Sequence, residues 1–451
     1  MLGAKVWWHR EVPARPHLPG AALQTPEEDD TVQRILSSQL KAYSGQTVTV
    51  AGWIHRRRLL KSVAFLILRD AEGLTQIVIT EPSPRAQLEE LTEESVVEVT
   101  ATVTLNEQAP GGVELVSPVI KTLAKAAELP FELHRPALTA TLPTQLDHAA
   151  LALRHPSRRA SLKVAAAATA GFRAALSEQR FVEIQTPKIV ASATESGADV
   201  FRLDYFGRPG YLAQSPQFYK QMMVGVFERV FEVGPVFRAE PSDTARHLSQ
   251  YTSLDAEMGF VADHRDVMAM LTRTLGVMMA TITARARTQT PKVPSEIPSV
   301  PFAEALRIAG ADRDEPDLAP ADERAIGEWA LREHGSEFVY VTGYPMRKRP
   351  FYTHPDPFDP TYSNGFDLLF RGMEIVTGGQ RLHRYDDYVK AIQAMGEPLE
   401  AYAGYLDAFR YGMPPHGGWA IGLERFVARL LGAANVREVT AFPRDLHRIA
   451  P

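Results

Sequence analysis

Phe231 to Glu240 reads FEVGPVFRAE, and Thr252 to Met258, beyond a polar stretch at Pro241–Tyr251, reads TSLDAEM. Both runs are short, largely apolar segments of strand character. If each is a strand, Arg238 and Glu240 share one face, and so do Asp255 and Glu257, because side chains alternate with period two. The polar stretch then closes a long-looped hairpin. Charges on an alternating strand usually form a solvated face, but two further segments argue otherwise. MEIVTGGQR (Met373–Arg381) sets Glu374, Thr377 and Arg381 around a glycine pair in another apolar strand. HGGWAIGLERF (His416–Phe426) sets glycines before an apolar helix that carries Glu424 and Arg425. Arginines and carboxylates converging on one sheet face suit an anionic phosphate ligand with Mg²⁺. Guanidinium forks hold phosphate oxygens, and a carboxylate with a hydroxyl holds the metal.

Strands and helices surround this hairpin. VFRLDYF (Val200–Phe206), TSLDAEMGFV and MEIVTG read as strands, and FVEIQTPKIV (Phe181–Val190) as a strand broken at Pro187. An alanine-rich helix is expected over Arg158–Gln179, a second over Arg265–Arg287 and a last one near Leu423–Leu431. Residues 158–451 therefore read as an α+β domain on a largely antiparallel sheet. Upstream, TVTVAGWI, AFLILRD, LTQIVIT, SVVEVTATVTL and GVELVSPVIKTL are short β-branched runs between Thr47 and Leu123, with a short polar helix at Ser83–Glu94. Five strands in about 80 residues read as a small β-barrel. That is the pattern of the OB-fold, a common oligonucleotide binder, with an SH3-like barrel or a sandwich as alternatives. This domain is placed at residues 36–128. Between it and the helix, 129–157 carries Pro130, Pro136, Pro143 and Pro156 and reads as a linker or hinge. Residues 1–35 contain Pro13, Pro16, Pro19, Pro26 and the acidic run Glu27–Asp30, and read as a flexible extension with Trp7 and Trp8 its odd feature.

Composition removes whole classes of function. The chain has 451 residues, too many for one ordinary domain. It has no cysteine, so disulfides, thiol nucleophiles and zinc–thiolate sites are excluded and a reducing cytoplasm is the natural compartment. Val267–Ala284 is the most apolar window, but Arg273 sits inside it, so it reads as a core or amphipathic helix and no membrane partner is expected. No basic stretch followed by an apolar run opens the chain, so no secretory signal is read. The net charge of −5 is not that of a protein that coats nucleic acid, though a local basic surface stays open. No P-loop, dinucleotide fingerprint, H-E-x-x-H or G-x-S-x-G occurs.

Three segments together resemble the three motifs of class II aminoacyl-tRNA synthetases. They are the helix with FVEIQTPKIV, then FRAE with its loop and TSLDAEM, then GWAIGLERF with Arg425. Between and after them, TESGADVF, AQSPQFYKQ, RPFY, FDLLFRGMEIVTGGQR, FRYGMPPHGG and FPRDLHRIAP resemble aspartyl-tRNA synthetases of the archaeal type. The resemblance spans about residues 36–451. It implies an OB-fold that binds the anticodon, a six-stranded antiparallel catalytic sheet flanked by helices, and a homodimer with the first motif at its interface.

The resemblance also implies roles. Arg238 would hold the α-phosphate of ATP and stabilise charge developing there, the kind of effect that is usually the largest catalytic contribution. Glu240, Arg246, His247, Leu248, Glu374, Gly422 and Arg425 would contact ATP, with Arg425 on the γ-phosphate. Glu374 and Thr377 would hold Mg²⁺; threonine stands where the family usually has serine and keeps the hydroxyl. Glu195, Gln217, Lys220, Arg238, Thr377 and Arg381 would bind L-aspartate. Lys220 and Arg381 would face its side-chain carboxylate, and Lys220 is the residue that asparaginyl enzymes typically lack. An amide would meet a second cation unfavourably.

For the barrel, HRRRLLK (His55–Lys61) offers cations for phosphates, while Phe65 could stack a base and Gln76 and Glu114 could read base edges. His55 and Pro110 stand where enzymes accepting both tRNA-Asp and tRNA-Asn tend to have histidine and proline, and enzymes restricted to one have tryptophan and lysine. A non-discriminating enzyme is therefore expected, and with it an amidotransferase that converts Asp-tRNA-Asn. Gln250 departs from the usual glutamate of the second motif's loop. A discriminating aspartyl enzyme, an asparaginyl enzyme, a synthetase-like amino-acid ligase and an idle nucleic-acid-binding paralogue are the competing readings. The last would have lost an ATP-clamping arginine or a metal ligand. The ligase would lack the barrel.

Overall fold

The computed structural model describes residues 34–191 and 199–450. The extension with Trp7 and Trp8, and the segment containing Glu195, lie outside the described residues. The chain divides into two compact units, 1–130 and 131–451.

In the first unit β1 (Thr47–Leu59), β2 (Ala64–Arg69), β3 (Leu74–Ile79), β4 (Val96–Leu105) and β5 (Val113–Ala124) close a barrel in the order β1-β2-β3-β5-β4. Helix α1 (Pro82–Glu89) lies between β3 and β4, shorter than the expected polar helix. The closing contact is a parallel one, Gln76 to Glu114 and Ile77 to Leu115, so the SH3-like and sandwich alternatives fall away. Period-two alternation sends Val48, Val50, Leu66, Leu68, Ile77, Ile79, Val97 and Val99 inward to one core. Burying such a side chain contributes roughly 1.5–3 kcal/mol.

In the second unit, helices α2 (Leu142–Asp147) and α3 (Ala149–Ala152) occupy part of the proline-rich 129–157 stretch. Then come α4 (Pro156–Glu178), β6 (Val182–Glu183), β7 (Ile189–Val190), β8 (Arg202–Tyr205), β9 (Arg208–Leu212), α5 (Gln217–Phe227), β10 (Arg229–Phe237), β11 (Gln250–Gly259) and α6 (His264–Ala286). The chain continues through β12 (Ser299–Pro301), α7 (Phe302–Ala309), α8 (Pro320–His334), β13 (Phe338–Thr342), β14 (Gly365–Phe370) and β15 (Glu374–Arg381). It ends with α9 (Tyr385–Ala394), α10 (Ala403–Arg410), β16 (His416–Gly422) and α11 (Leu423–Leu431).

The large sheet runs β12-β13-β14-β15-β16-β11-β10-β6. Its six inner strands are antiparallel, as the resemblance implies, but a short parallel strand is added at each edge. Parallel neighbours need a crossover: α7 and α8 supply it for β12–β13, and the β7–α5 region for β6–β10. Pro187 divides FVEIQTPKIV as expected, into β6 in the large sheet and β7 in a small sheet with β9 and β8. Helices α4 and α6 pack together, and a Cβ at Gly171 would lie 2.7 Å from Met278 Cα, so glycine permits the close crossing. Helix α6 is long and apolar enough to cross a membrane, yet Leu271, Leu275, Met278 and Ile282 are fully buried in the sheet core. It is a core helix, as Arg273 suggested.

Candidate active site

One face of the large sheet and the first turn of α5 enclose a cavity of about 320 Å³. Its wall contains Gln217, Lys220, Arg238, Glu240, Arg246, His247, Leu248, Glu374, Thr377, Arg381, Gly422 and Arg425. Every catalytic residue expected from the sequence is there except Glu195, which is outside the described residues.

The hairpin delivers Arg238 differently from the period-two reading. Strand β10 stops at Phe237, so Arg238 and Glu240 lie just past its end. The Arg238 N–H still donates to Ser249 O at 2.9 Å, which carries the pairing one step further, and its guanidinium sits 5.7 Å from the Tyr251 ring. In the loop, His247 Nδ1 meets the hydroxyls of Thr244 (2.6 Å) and Ser242 (3.1 Å). Burial, and then the cations of Arg425, Arg246 and Arg238, hold this imidazole below its ordinary pKa. That depression reports three guanidinium groups converging on one wall, the electrostatics an oligophosphate needs.

Strand β15 breaks alternation at a bulge. Leu368 faces Val376 while Leu369 faces Glu374, so Ile375 is the extra residue. Without the bulge, Glu374 and Thr377 would point to opposite faces; with it, Thr377 Oγ1 donates to Glu374 Oε1 at 3.0 Å. They are the two residues of β15 that are not buried. Mg²⁺ commonly takes one or two carboxylates and completes its shell with substrate phosphates and water. One carboxylate and one hydroxyl facing a cavity of arginines fit that habit, and among the described residues no cluster of three His, Asp or Glu offers an all-protein site. Glu424, also in the wall, anchors the start of β11: both its oxygens accept from the Thr252 N–H at 3.0 Å.

At the other end of the cavity lies a buried charge cluster. Lys220 is 1% exposed. Its Nζ donates to Asp255 Oδ1 (3.0 Å) and Trp419 O (3.2 Å) and is 3.3 Å from Glu257 Oε2. Arg381 Nε donates to Glu257 Oε1 at 3.0 Å. Asp255 and Glu257 do share a face, as period two requires, and the two cations flank the Glu257 carboxylate. Burial pushes the Glu257 pKa up, but Arg381 and Lys220 win and hold it below the ordinary carboxylate range. Gln217 and Lys220 share one face of α5 at spacing i, i+3. Gln221 locks that helix by bonding Tyr388, Tyr405 and His416, each at 2.9 Å. Gln217 Nε2 is buried, has no hydrogen-bond partner among the described residues and lies at the cavity wall, where a ligand could take its donor.

Three features were missed from sequence. Glu323, in the first turn of α8, binds Arg246 Nη1 (3.0 and 3.2 Å) and accepts from the Glu374 N–H at 2.9 Å. It links Arg246, in the loop between β10 and β11, to Glu374, the first residue of β15. Its sequence context signals only a helix start, so nothing distinguished it. Arg349 forks onto Asp367 (3.3 and 3.1 Å) and stacks 3.9 Å over the Tyr344 ring. Burial raises the Asp367 pKa to about 6 against the pull of Arg349. Gly418 is the third: a Cβ there would lie 2.1 Å from Ala256 O and 2.2 Å from Glu257 Oε2. The glycine pair in β16 was visible as a motif, but not the carboxylate it makes room for.

A family model described as tRNA synthetases class II (D, K and N) matches residues 141–446, the stretch that holds the whole cavity. The chain belongs to the class II aminoacyl-tRNA synthetases. An OB-fold nucleic acid binding domain model matches residues 48–123 of the barrel. Aspartate--tRNA(Asp/Asn) ligase of Thermus thermophilus is 45% identical, over 93% of this chain and all of its own length. The ligase of the same name from Deinococcus radiodurans is 44% identical, over 93% and 99%. Among solved structures, asparaginyl-tRNA synthetase from Pyrococcus horikoshii with asparaginyl-adenylate matches at TM-score 0.87 and 29% identity, over 93% of this chain and all of its own. A putative aspartyl-tRNA synthetase from Leishmania major matches at 0.83 and 27%, over 96% and 97%.

In this synthetase the barrel presents a second candidate surface. Directly paired residues share a face, and the pairs Arg58–Phe65, Arg56–Ile67, Ile67–Gln76 and Gln76–Glu114 carry one outer face across β1, β2, β3 and β5. Two cations, a half-buried aromatic ring and two hydrogen-bonding side chains thus lie on one side. Arg57 does not join them: its Nη1 donates to Leu88 O at 3.2 Å, at the end of α1. Phe65 is not part of the barrel core. His55 is not a loop residue, since it is the extra residue of a bulge in β1 and is 8% exposed. Pro110 opens the turn Pro110–Gly112 between β4 and β5.

Proposed function

We propose that this synthetase joins L-aspartate to tRNA through an aspartyl-adenylate, and that it accepts both tRNA-Asp and tRNA-Asn. The observation that carries the choice of amino acid is the pair of buried cations, Lys220 and Arg381, held on either side of Glu257. With Asp255 and Glu257 the cluster is neutral before substrate arrives, so neither cation is spent on excess protein charge. A ligand carboxylate can take hydrogen bonds from both; an amide NH₂ would face donors.

ATP binds along the wall of Arg238, Arg246, His247, Leu248, Gly422 and Arg425, with Glu240 beside them. Arg238 contacts the α-phosphate and Arg425 the γ-phosphate. Glu374 and Thr377 would hold Mg²⁺, which would screen the phosphate charge. Glu195 and Gln217 grip the ammonium side of aspartate, and Lys220 and Arg381 its side chain. The α-carboxylate attacks the α-phosphorus in line and pyrophosphate leaves. The 3′-hydroxyl of the tRNA end then attacks the carbonyl carbon of the adenylate, the acyl–phosphate bond breaks and AMP leaves. No protein nucleophile takes part; positioning and charge neutralisation carry both steps.

Phe65, Gln76 and Glu114 read the anticodon while Arg56 and Arg58 meet phosphates. His55 and Pro110 leave the third anticodon base unrestricted, which is where the two tRNAs differ. The names of the curated relatives support that reading. An amidotransferase would then convert Asp-tRNA-Asn. The working unit is a homodimer, with the short edge strand β6 as the unpaired sheet edge that a second copy would cover. The absence of cysteine suits a cytoplasmic enzyme. The test is aspartylation of tRNA-Asp and tRNA-Asn transcripts side by side. Comparable kcat/KM on both is expected. Charging of tRNA-Asp alone overturns the argument from His55 and Pro110, and charging of tRNA-Asn with asparagine overturns the amino-acid assignment.

A further inference from the structure

Asn106, at the edge of the outer face of the barrel, is a polar residue that no role above absorbs. Asn106 follows β4 immediately, and the chain returns into β5 at Val113, with Leu105 paired to Val113 and Thr104 to Glu114. The backbone of Asn106 closes the turn twice: its N–H donates to Gly112 O and its carbonyl accepts from the Ala109 N–H, both at 3.0 Å. Its side chain then works in two directions. Oδ1 accepts from the Gln108 N–H at 3.0 Å, and Nδ2 donates to Glu114 Oε2 at 2.9 Å. The same Oε2 accepts from Gln76 Nε2 at 3.1 Å. Among the described residues Glu114 Oε1 accepts no hydrogen bond, so one carboxylate oxygen is pinned and the other is offered outward.

We infer that Asn106 is a positioning residue that holds the Glu114 carboxylate in its base-reading pose from the turn that carries Pro110. The inference rests on the reading of this face as the anticodon site. The residue type supports it. A turn that needs only a side-chain acceptor at this position is served equally by Asp, Asn or Ser. Of these, Asn alone also places an N–H donor one bond further out, where Glu114 is. Two donors on one oxygen fix the plane of the carboxylate. A base-edge N–H then meets a preset acceptor and does not have to order a long side chain on binding. Gln76 benefits in turn: with one amide hydrogen committed to Glu114, its Oε1 points to the same face in a fixed orientation.

The test uses the full-length enzyme with Asn106→Asp and Asn106→Ser, both of which keep the turn acceptor and lose the donor to Glu114. Aspartate-dependent ATP–pyrophosphate exchange without tRNA is expected to match wild type for both variants, which also certifies folding of the catalytic unit. Aspartylation kcat/KM is expected to fall about tenfold or more, the scale of a hydrogen bond to a charged group, with the loss in the KM for tRNA and not in kcat. In a Glu114→Ala background, Asn106→Ser should cost nothing further, because Asn106 acts through Glu114. Wild-type charging by Asn106→Ser, or full additivity with Glu114→Ala, overturns the inference. A loss confined to Asn106→Asp also overturns it, since charge repulsion alone would explain that. If Glu114→Ala by itself charges tRNA normally, the anticodon reading of this face fails, and the role of Asn106 fails with it.

Discussion

Lys220→Met is the perturbation that most directly tests the amino-acid assignment. Lys220 is the centre of a neutral cluster of two cations and two carboxylates, and its three contacts at 3.0, 3.2 and 3.3 Å are all buried. Methionine fills nearly the same volume but leaves the cluster with one uncompensated negative charge. At an effective dielectric of about 20, a charge pair 3–4 Å apart is worth roughly 4–5 kcal/mol. Removing one partner of a buried pair costs about 3–5 kcal/mol. Part of that loss is recovered, because Glu257 keeps Arg381 and Asp255 keeps the Ser253 hydroxyl at 2.5 Å.

The same residual charge repels an incoming carboxylate, and the substrate loses a charge-assisted hydrogen bond. Aspartate activation should therefore fall by about 10²–10³ in kcat/KM. The assay is ATP–pyrophosphate exchange without tRNA, titrating aspartate and ATP separately. In the proposed arrangement ATP lies along the opposite wall, so its KM should change less than about threefold by the additivity expected of separated sites. Unchanged aspartate KM and kcat would refute the assignment of Lys220. Equal losses for ATP and aspartate would mean that the variant has only collapsed the site.

Three more outcomes follow from the geometry. Gly418→Ala should destabilise the second unit by roughly 1–3 kcal/mol or more, because its Cβ would sit 2.1 Å from Ala256 O and 2.2 Å from Glu257 Oε2; an unchanged urea midpoint with an unchanged aspartate KM would contradict this. Glu323→Ala should raise the ATP KM several-fold, since Arg246 loses its partner and the Glu374 N–H its acceptor, worth about 1–3 kcal/mol; an ATP KM that falls would mean Glu323 competes with phosphate for Arg246. Burial pushes the His416 pKa down to about 4. The unfolded chain then binds the extra proton between about pH 4 and 6.5, and stability rises with pH across that window by about 3 kcal/mol at most. His416→Gln should flatten that slope in urea melts taken from pH 4 to 7, and an identical slope in both proteins would remove His416 as its source.

Part of the candidate site was legible because strand periods are local: Asp255 and Glu257 follow from period two. Gln217 and Lys220 were legible only through the resemblance carried by AQSPQFYKQ, not through any helix expected there. What was not legible depends on departures from those periods or on partners far along the chain. Period two applied to MEIVTGGQR puts Glu374 and Thr377 on opposite faces, and the bulge at Ile375 is what brings them together. No residue in that run announces a bulge. His55 is the same case in the barrel, where an extra residue turns an apparent surface position into a buried one. The edge strands β6 and β12 have two and three residues, too short for any sequence period to mark.

The two bulges share a consequence for how such a site holds its charge. A bulge commits a side chain to a direction that the sheet cannot relax without losing register on either side. Glu374 is further fixed by the hydrogen bond from its N–H to Glu323, so the start of β15 is held from α8 as well as from β14. At the other end of the same strand, Arg381 is held by Glu257 and by Gly418 O at 3.1 Å. Strand β15 thus carries a carboxylate and hydroxyl at one end and a guanidinium at the other, both anchored by neighbours that the ligands do not need to touch. The cost of burying Lys220, Arg381, Asp255 and Glu257 is met when the chain folds. If Lys220 and Arg381 face a substrate carboxylate as proposed, the charge opposite it is then already in place, and little reorganisation remains for the reaction to drive.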